Sequence, residues 1–298
     1  MAPSILFGGG DSDPNLLLLV ETAKRMGIDH AVIFVGAGAP PAVSWDLQAE
    51  TFWLNGHCIS PNAIFARYDV FSTLHDQRPE IALRSQRWFN LVTGFGLANP
   101  SVRMLNRNII ADAGHKATVL CLAKRHGLRI PKSVASNRPA ALDHLGCQDQ
   151  LVVKPLDGGD FCRTLKDSLQ GVELKGHLAA SPAMVQRMLE QPEIRIYQIG
   201  KKTFAFNMQS NSLDYRILQD ANVSLLEEVP SPQSEGLKAL MDTLGMDFGA
   251  ADFKTDPETG ELCFLEVNTS PMFAAFDQVA GGKLAEAILE TLSRNAIA

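Results

Sequence analysis

The chain has 298 residues, of which 46% are hydrophobic and 20% charged, so it can bury a large core spread over two or three packed lobes, and disorder is excluded as its default state. A formal net charge of −6, with no run of Lys and Arg able to track a phosphate backbone, argues against nucleic acid as a partner. The apolar run Leu16 to Val20 is far shorter than the about 20 residues that span a bilayer and has no basic segment before it, so neither a secretory signal nor a membrane partner is expected.

Ser4 to Phe7 reads as a short strand broken by Gly8-Gly9-Gly10, and Pro14 to Met26 has the apolar spacing of a helix that Gly27 ends. Ala31 to Val35 and Ala63 to Ala66 are further strands, followed by a helix around Ile81 to Val92. Strand, helix, strand in this order predicts an α/β lobe with a parallel sheet, ending near Met104. The Gly-x-Gly-x-x-Gly dinucleotide fingerprint fails at Pro14, so the glycine triplet is expected to make a tight turn. Arg67, at the end of a strand, would either grip an acidic substrate or form a surface salt bridge.

His115 to His126 is helical in spacing and Gly127 suits its C-terminal end, after which Ile130-Pro131 restarts the chain in extended form. Leu151 to Pro155 is an apolar strand carrying one charge, Lys154, and Met184-Val185 begins another that runs into Arg187–Leu189. Ile194–Ile199 and Thr203–Met208 form a hairpin about Gly200-Lys201-Lys202. A helix over Ser234–Leu244 precedes a second hairpin, Ala250–Lys254 with Leu262–Val267, turning through Pro257-Glu258-Thr259-Gly260; a helix over Gly281–Ser293 follows. The five cysteines are scattered, without a Cys-x-x-Cys pair, which suggests neither disulfides nor zinc and fits a reducing cytoplasm. The seven histidines have no metal spacing.

The last hairpin carries the strongest chemical signal. Asp252 lies in one strand, while Glu266 and Asn268 lie at alternate positions of the other and so share a face. Three oxygen side chains in that arrangement suit Mg²⁺, a hard cation that also takes waters and substrate phosphates; the competing reading is a solvated strand face. Lys154 in an apolar strand must find an anion or carry a depressed pKa, and a phosphate would satisfy it. The adjacent Asp157-Gly158-Gly159-Asp160 is either an ordinary turn or a loop whose N–H groups approach an anion. Arg195 and Arg216 each stand between apolar or aromatic residues, as side chains that grip an oxyanion do, although strand-edge arginines can have the same neighbours. Lys116, at a helix start, is by itself an ordinary surface residue.

Taken in order, these residues resemble the ATP-grasp superfamily from about Asn106 to Phe276. A helix-starting lysine, a Lys-Pro-Leu-Asp-Gly segment and a terminal Glu-x-Asn are landmarks of glutathione synthetase and the ribosomal-protein glutamate ligases. Here they are Lys116, Lys154-Pro155-Leu156-Asp157-Gly158 and Glu266-Val267-Asn268. Asn106, His115-Lys116, Gly127 to Pro131, Glu193-Ile194-Arg195, Asp214-Tyr215-Arg216 and Phe264 to Asn268 look similar to ligases that macrocyclise ribosomally made peptides.

The resemblance implies an α+β ATP-grasp fold: an N-terminal α/β lobe over 1–105, a small central lid lobe over 106–185 and a C-terminal metal-binding lobe over 186–298. It implies ATP as cofactor, held at its phosphates by Lys116, Lys154 and the loop Asp157, Gly158 and Gly159. Adenine would lie along the backbone of Gln186, Arg187, Met188 and Leu189, with Glu193 on the ribose. Asp252, Glu266 and Asn268 would hold Mg²⁺, with Mn²⁺ as an alternative, and Arg195 and Arg216 would face the transferred phosphate and the acyl substrate. The implied activity is ligation of a small-molecule or peptide carboxylate to an amine through an acyl phosphate, releasing ADP and phosphate. Homo-oligomerisation is compatible with it. The rival readings are a kinase acting on a small-molecule hydroxyl and a nucleotide-binding module without turnover.

Overall fold

A computed structural model describes residues 4–36, 38–156, 162–170, 174–209 and 222–293. The chain divides into two compact units, Met1–Arg107 with Met272–Ala298, and Asn108–Pro271. The lobe boundary expected at 185/186 thus falls inside the second unit, and the chain from Met272 onward groups with the first.

In the first unit β1 (Ile5–Gly10), β2 (His30–Val35), β6 (Ala63–Ala66) and β7 (Arg103–Met104) form a parallel sheet in the order β2-β1-β6-β7. Helix α1 (Pro14–Arg25) starts where Asp13 accepts the Asn15 N–H and Pro14 presets φ, and it buries Leu16, Leu19, Val20 and Ala23 at helical spacing. The glycine triplet does not break β1 into a turn. It stays in the strand, because β1 is approached too closely for side chains: a Cβ on Gly9 would lie 2.8 Å from the Arg67 carbonyl oxygen. Arg67 makes no surface salt bridge either. It is 3% exposed and its Nε donates at 2.8 Å to the fully buried Asp13 carboxylate.

A three-stranded antiparallel sheet, β3 (Val43–Asp46), β4 (Thr51–Leu54) and β5 (His57–Ile59), occupies a stretch where no strand was expected. Its Phe52 and Leu54 join a core with Leu6, Ile33, Ile64 and the Val92 and Phe95 side chains of α3 (Pro79–Ala98). Between β6 and α3 lies α2 (Val70–His75). Helices α7 (Ala274–Val279) and α8 (Lys283–Ser293) complete the unit, α8 packing on α1 through a wide apolar face.

The second unit begins with α4 (Lys116–Arg125), after which β8 (Ser133–Ser136), β9 (Leu151–Lys154), β10 (Arg163–Thr164) and β11 (Ala183–Arg187) form an antiparallel sheet ordered β10-β9-β11-β8. Short helix α5 (Leu165–Leu169) follows β10. A five-stranded antiparallel sheet has the order β14-β13-β12-β15-β16: β12 (Glu190–Ile199), β13 (Lys202–Gln209), β14 (Asn222–Leu225), β15 (Phe248–Thr255) and β16 (Leu262–Asn268). Helix α6 (Ser231–Leu244) precedes β15 and buries Leu237, Leu240 and Leu244 completely, each contributing about 1.5–3 kcal/mol over exposure.

Candidate functional site

The five-stranded sheet has one apolar face and one chemical face. Ile194, Ile196, Ala205, Ala251, Phe253, Phe264 and Val267 enter the core shared with α4 and α6. On the other face β12, β15 and β16 bring together side chains from three distant parts of the sequence, because Arg195 pairs with Asp252, Asp252 with Glu266, and Ala250 with Asn268. Residues directly opposite in an antiparallel ladder point the same way.

Strict alternation along β16 would place Phe264, Glu266 and Asn268 on one face. A register shift prevents this. Asp252 pairs with Glu266 but Phe253 with Phe264, leaving Leu265 as the extra residue of a β-bulge. The bulge lets Phe264 and Val267 both reach the core while Glu266 and Asn268 remain on the chemical face.

Asp252 is held by a two-point ion pair. Arg195 Nε lies 2.7 Å from Oδ1 and Nη2 lies 2.8 Å from Oδ2, with both side chains buried. Asn268 Nδ2 is 3.5 Å from the same Oδ2. Next along the face, Lys254 Nζ lies 3.0 Å from Glu193 Oε2. Burial raises the Glu193 pKa, and the opposing charge of Lys254 limits the rise. Cys263 on β16 is a poor candidate nucleophile, since burial pushes its thiol up to about 11.

The four-stranded sheet contributes a second face. Lys154 pairs with Met184 and Val152 with Gln186, so Lys154 and Gln186 point the same way. Leu151, Val153 and Val185 point oppositely and pack with Leu145 and Leu165. Lys154 is half-buried, and no described carboxylate pairs with it. Gln186 is 1% exposed; its Nε2 reaches Ser133 Oγ at 3.0 Å and its Oε1 has no hydrogen-bond partner among the described residues. The Arg187 side chain turns away to Glu258 at 2.6 Å. The Arg187 and Met188 N–H groups donate to the Lys132 and Gln150 carbonyls. Lys116 is the first residue of α4, half-buried, and His115 before it makes no side-chain cap. Asp157, Gly158, Gly159 and Arg216 lie outside the described residues.

Among the described residues no three His, Cys, Asp or Glu side chains converge as a complete metal cage. Asp252, Glu266 and Asn268 share one sheet face and carry oxygen donors of the types Mg²⁺ accepts alongside phosphate and water, while both Asp252 oxygens are engaged by Arg195. Among the described residues Gln186 Oε1 has no hydrogen-bond partner and Lys154 no carboxylate partner, so a donor would satisfy the first and an anion the second. Two side chains on these faces escaped the sequence reading. Lys254 was legible as the residue alternating with Asp252, whereas Ser133 had no signal in the sequence.

No family model and no curated protein matches the chain. Solved structures do. The ATP-grasp ligase PsnB, complexed with minimal precursor, Mg and ADP, superposes with a TM-score of 0.72 at 22% identity, covering 98% of this chain and 99% of PsnB. The macrocyclase MdnC of Microcystis aeruginosa MRC, bound with precursor peptide MdnA, gives 0.71 at 19% identity, covering 97% and 98%. The VanG D-Ala:D-Ser ligase of Enterococcus faecalis gives 0.58 at 14% identity, covering 98% of each chain. The chain therefore has the α+β ATP-grasp fold over nearly its whole length.

Proposed function

We propose that the chain is an ATP- and Mg²⁺-dependent ligase that activates a carboxylate as an acyl phosphate and joins it to an amine, releasing ADP and phosphate. The observation that carries this reading is the joint placement of Arg195, Asp252, Glu266 and Asn268 on the sheet face opposite the core. Residues 106–185 would act as the lid lobe, Lys116 and Lys154 would bind the phosphates, and Glu193, already braced by Lys254, would meet the ribose. Mg²⁺ held by Asp252, Glu266 and Asn268, with Mn²⁺ as a substitute, would supply charge neutralisation at the terminal phosphoryl group.

Arg195 has the planar fork needed for a carboxylate or a phosphoryl oxygen, and its present hold on Asp252 shows that it can make two parallel bonds. Arg216 is assigned the same work by its sequence neighbours. None of these residues becomes covalently attached, so the chain's part in the reaction is positioning and charge. A peptide substrate is supported by the precursor peptides bound to PsnB and MdnC, whereas VanG, a D-Ala:D-Ser ligase, supports a free amino-acid acceptor. Lack of clustered cysteines supports a reducing, cytoplasmic setting.

The test is to incubate the protein with ATP, Mg²⁺, hydroxylamine and a panel of peptide and amino-acid carboxylates. A hydroxamate formed together with ADP and phosphate is the expected result. Pyrophosphate release, or phosphorylation of a hydroxyl without any carboxylate, would overturn the ligase reading.

A further inference from the structure

We propose that Arg195 makes cation and oxyanion binding interdependent on the chemical face of the five-stranded sheet. While its guanidinium holds Asp252, that carboxylate is closed to a divalent cation, and an oxyanion that takes over the guanidinium opens it; the proposal rests on the nucleotide and Mg²⁺ reading above. Arg195 and Asp252 stand directly opposite each other on β12 and β15, both buried, and the guanidinium meets both carboxylate oxygens, Nε to Oδ1 at 2.7 Å and Nη2 to Oδ2 at 2.8 Å. β12 is an inner strand, flanked by β13 and β15, so the strand register fixes this contact. Asn268 also turns a donor, its Nδ2, toward Oδ2 at 3.5 Å. Glu266, across the ladder from Asp252, makes no ion pair among the described residues. The face therefore carries one carboxylate open to a cation and one already committed.

A guanidinium fork suits carboxylate and phosphate alike, so the two acceptors compete for it. A divalent cation brought to Asp252 while the fork is in place meets a like charge close by, a cost that a buried setting enlarges. An oxyanion removes that cost. It draws the guanidinium to itself, frees the Asp252 oxygens and shares an oxygen of its own with the cation. Each ligand then raises the affinity of the other by the same factor, because coupling between two sites is reciprocal. Nucleotide phosphates are the oxyanion in question, and Arg195 is the residue through which they and the cation sense each other.

Two binding measurements test this, and neither depends on turnover. The first needs no substitution: Mn²⁺ is titrated into the wild-type protein without nucleotide, in chloride and in sulfate at equal ionic strength, with the hold of sulfate itself on Mn²⁺ taken from a protein-free blank. Sulfate should tighten Mn²⁺ binding by about fivefold or more. The second titrates ADP calorimetrically, in EDTA and in Mg²⁺. In EDTA, Asp252→Asn should bind ADP about fivefold or more tightly than the wild type, since Arg195 is released to the phosphates, whereas in Mg²⁺ it should bind no more tightly. Glu266→Gln removes a charge from the same face but no hold on Arg195, so its gain in EDTA should be smaller. Absence of a sulfate effect on Mn²⁺ binding by the wild type, or a gain in EDTA no larger for Asp252→Asn than for Glu266→Gln, overturns the coupling. Failure of ADP to bind the wild type in Mg²⁺ would overturn the nucleotide reading instead, and the manganese titration would still decide the role of Arg195.

Discussion

Arg195 and Asp252, neighbours across β12 and β15, grip each other through two parallel hydrogen bonds of 2.7 and 2.8 Å in a buried setting. The sequence assigns them different partners, a phosphoryl oxygen and a metal ion, yet in the folded chain each neutralises the other. Both carboxylate oxygens are engaged, so a metal at Asp252 must share or displace the guanidinium.

Asp252→Ala should therefore destabilise the protein by about 3–5 kcal/mol, because it removes the carboxylate that meets two nitrogens of the buried Arg195 guanidinium. Replacing both residues by apolar ones of similar size should restore most of that loss. Urea denaturation of the two single variants and the double variant measures it, and a loss below about 1 kcal/mol for Asp252→Ala would mean that water reaches Arg195.

Glu266→Gln preserves an oxygen and the shape of the side chain but removes its charge. The side chain is half-buried and makes no ion pair among the described residues, so thermal stability should change little. The Mg²⁺ concentration needed for half-maximal ATP turnover should rise at least about tenfold, the effect of weakening one ligand of a hard cation. A wild-type metal titration would take Glu266 out of the shell.

Lys154→Ala removes a cation that no described carboxylate neutralises, so the protein without ligand should be no less stable than the wild type. Binding of Mg·ADP should weaken by about 1.5–3 kcal/mol, the range for a hydrogen bond to a charged group. Calorimetric titration decides the matter; unchanged affinity together with lost stability would make Lys154 structural.

Asp277 offers a test in pH. It is 2% exposed and accepts the Leu284 and Ala285 N–H groups at 2.8 and 2.9 Å, capping the start of α8. Burial raises its pKa above the ordinary 3.8, and the two N–H bonds only partly oppose the rise. A carboxyl with a raised folded pKa supports folding most at pH below its unfolded value and loses that support as pH climbs through the folded value. Asp277→Asn retains the accepting oxygen without the charge. Its stability relative to the wild type should therefore increase from pH 3.5 toward neutrality, in about the window of a buried carboxylate. A relative stability that falls over this range would show that the ionised form is the favoured one.

Period alone made much of the fold legible. The hairpin of β12 and β13, the helix from Lys116, and the hairpin that ends in Glu266-Val267-Asn268 follow from alternating or helical apolar spacing with glycine at the turns. The same reading lost the sheet from Val43 to Ile59, where short strands share apolar and polar residues without a clean period. It also took Gly8 to Gly10 for a turn, since a local signal of flexibility does not reveal that a neighbouring backbone is pressing in.

The amino-acid sequence by itself determined which groups can do chemistry here: two carboxylates and an amide of suitable hardness for Mg²⁺, a lysine stranded in an apolar strand, and an arginine flanked by isoleucines. Only the tertiary structure decided how those groups are committed. Arg195 meets Asp252 because two strands 57 residues apart lie in register, Glu193 meets Lys254 for the same reason, and a bulge at Leu265 keeps Glu266 out of the core. Ser133 and Gln186, 53 residues apart, are joined only by the pairing of β8 with β11. Hydrogen bonds and ion pairs act over a few ångströms, and only the folded sheet brings such distant positions that close.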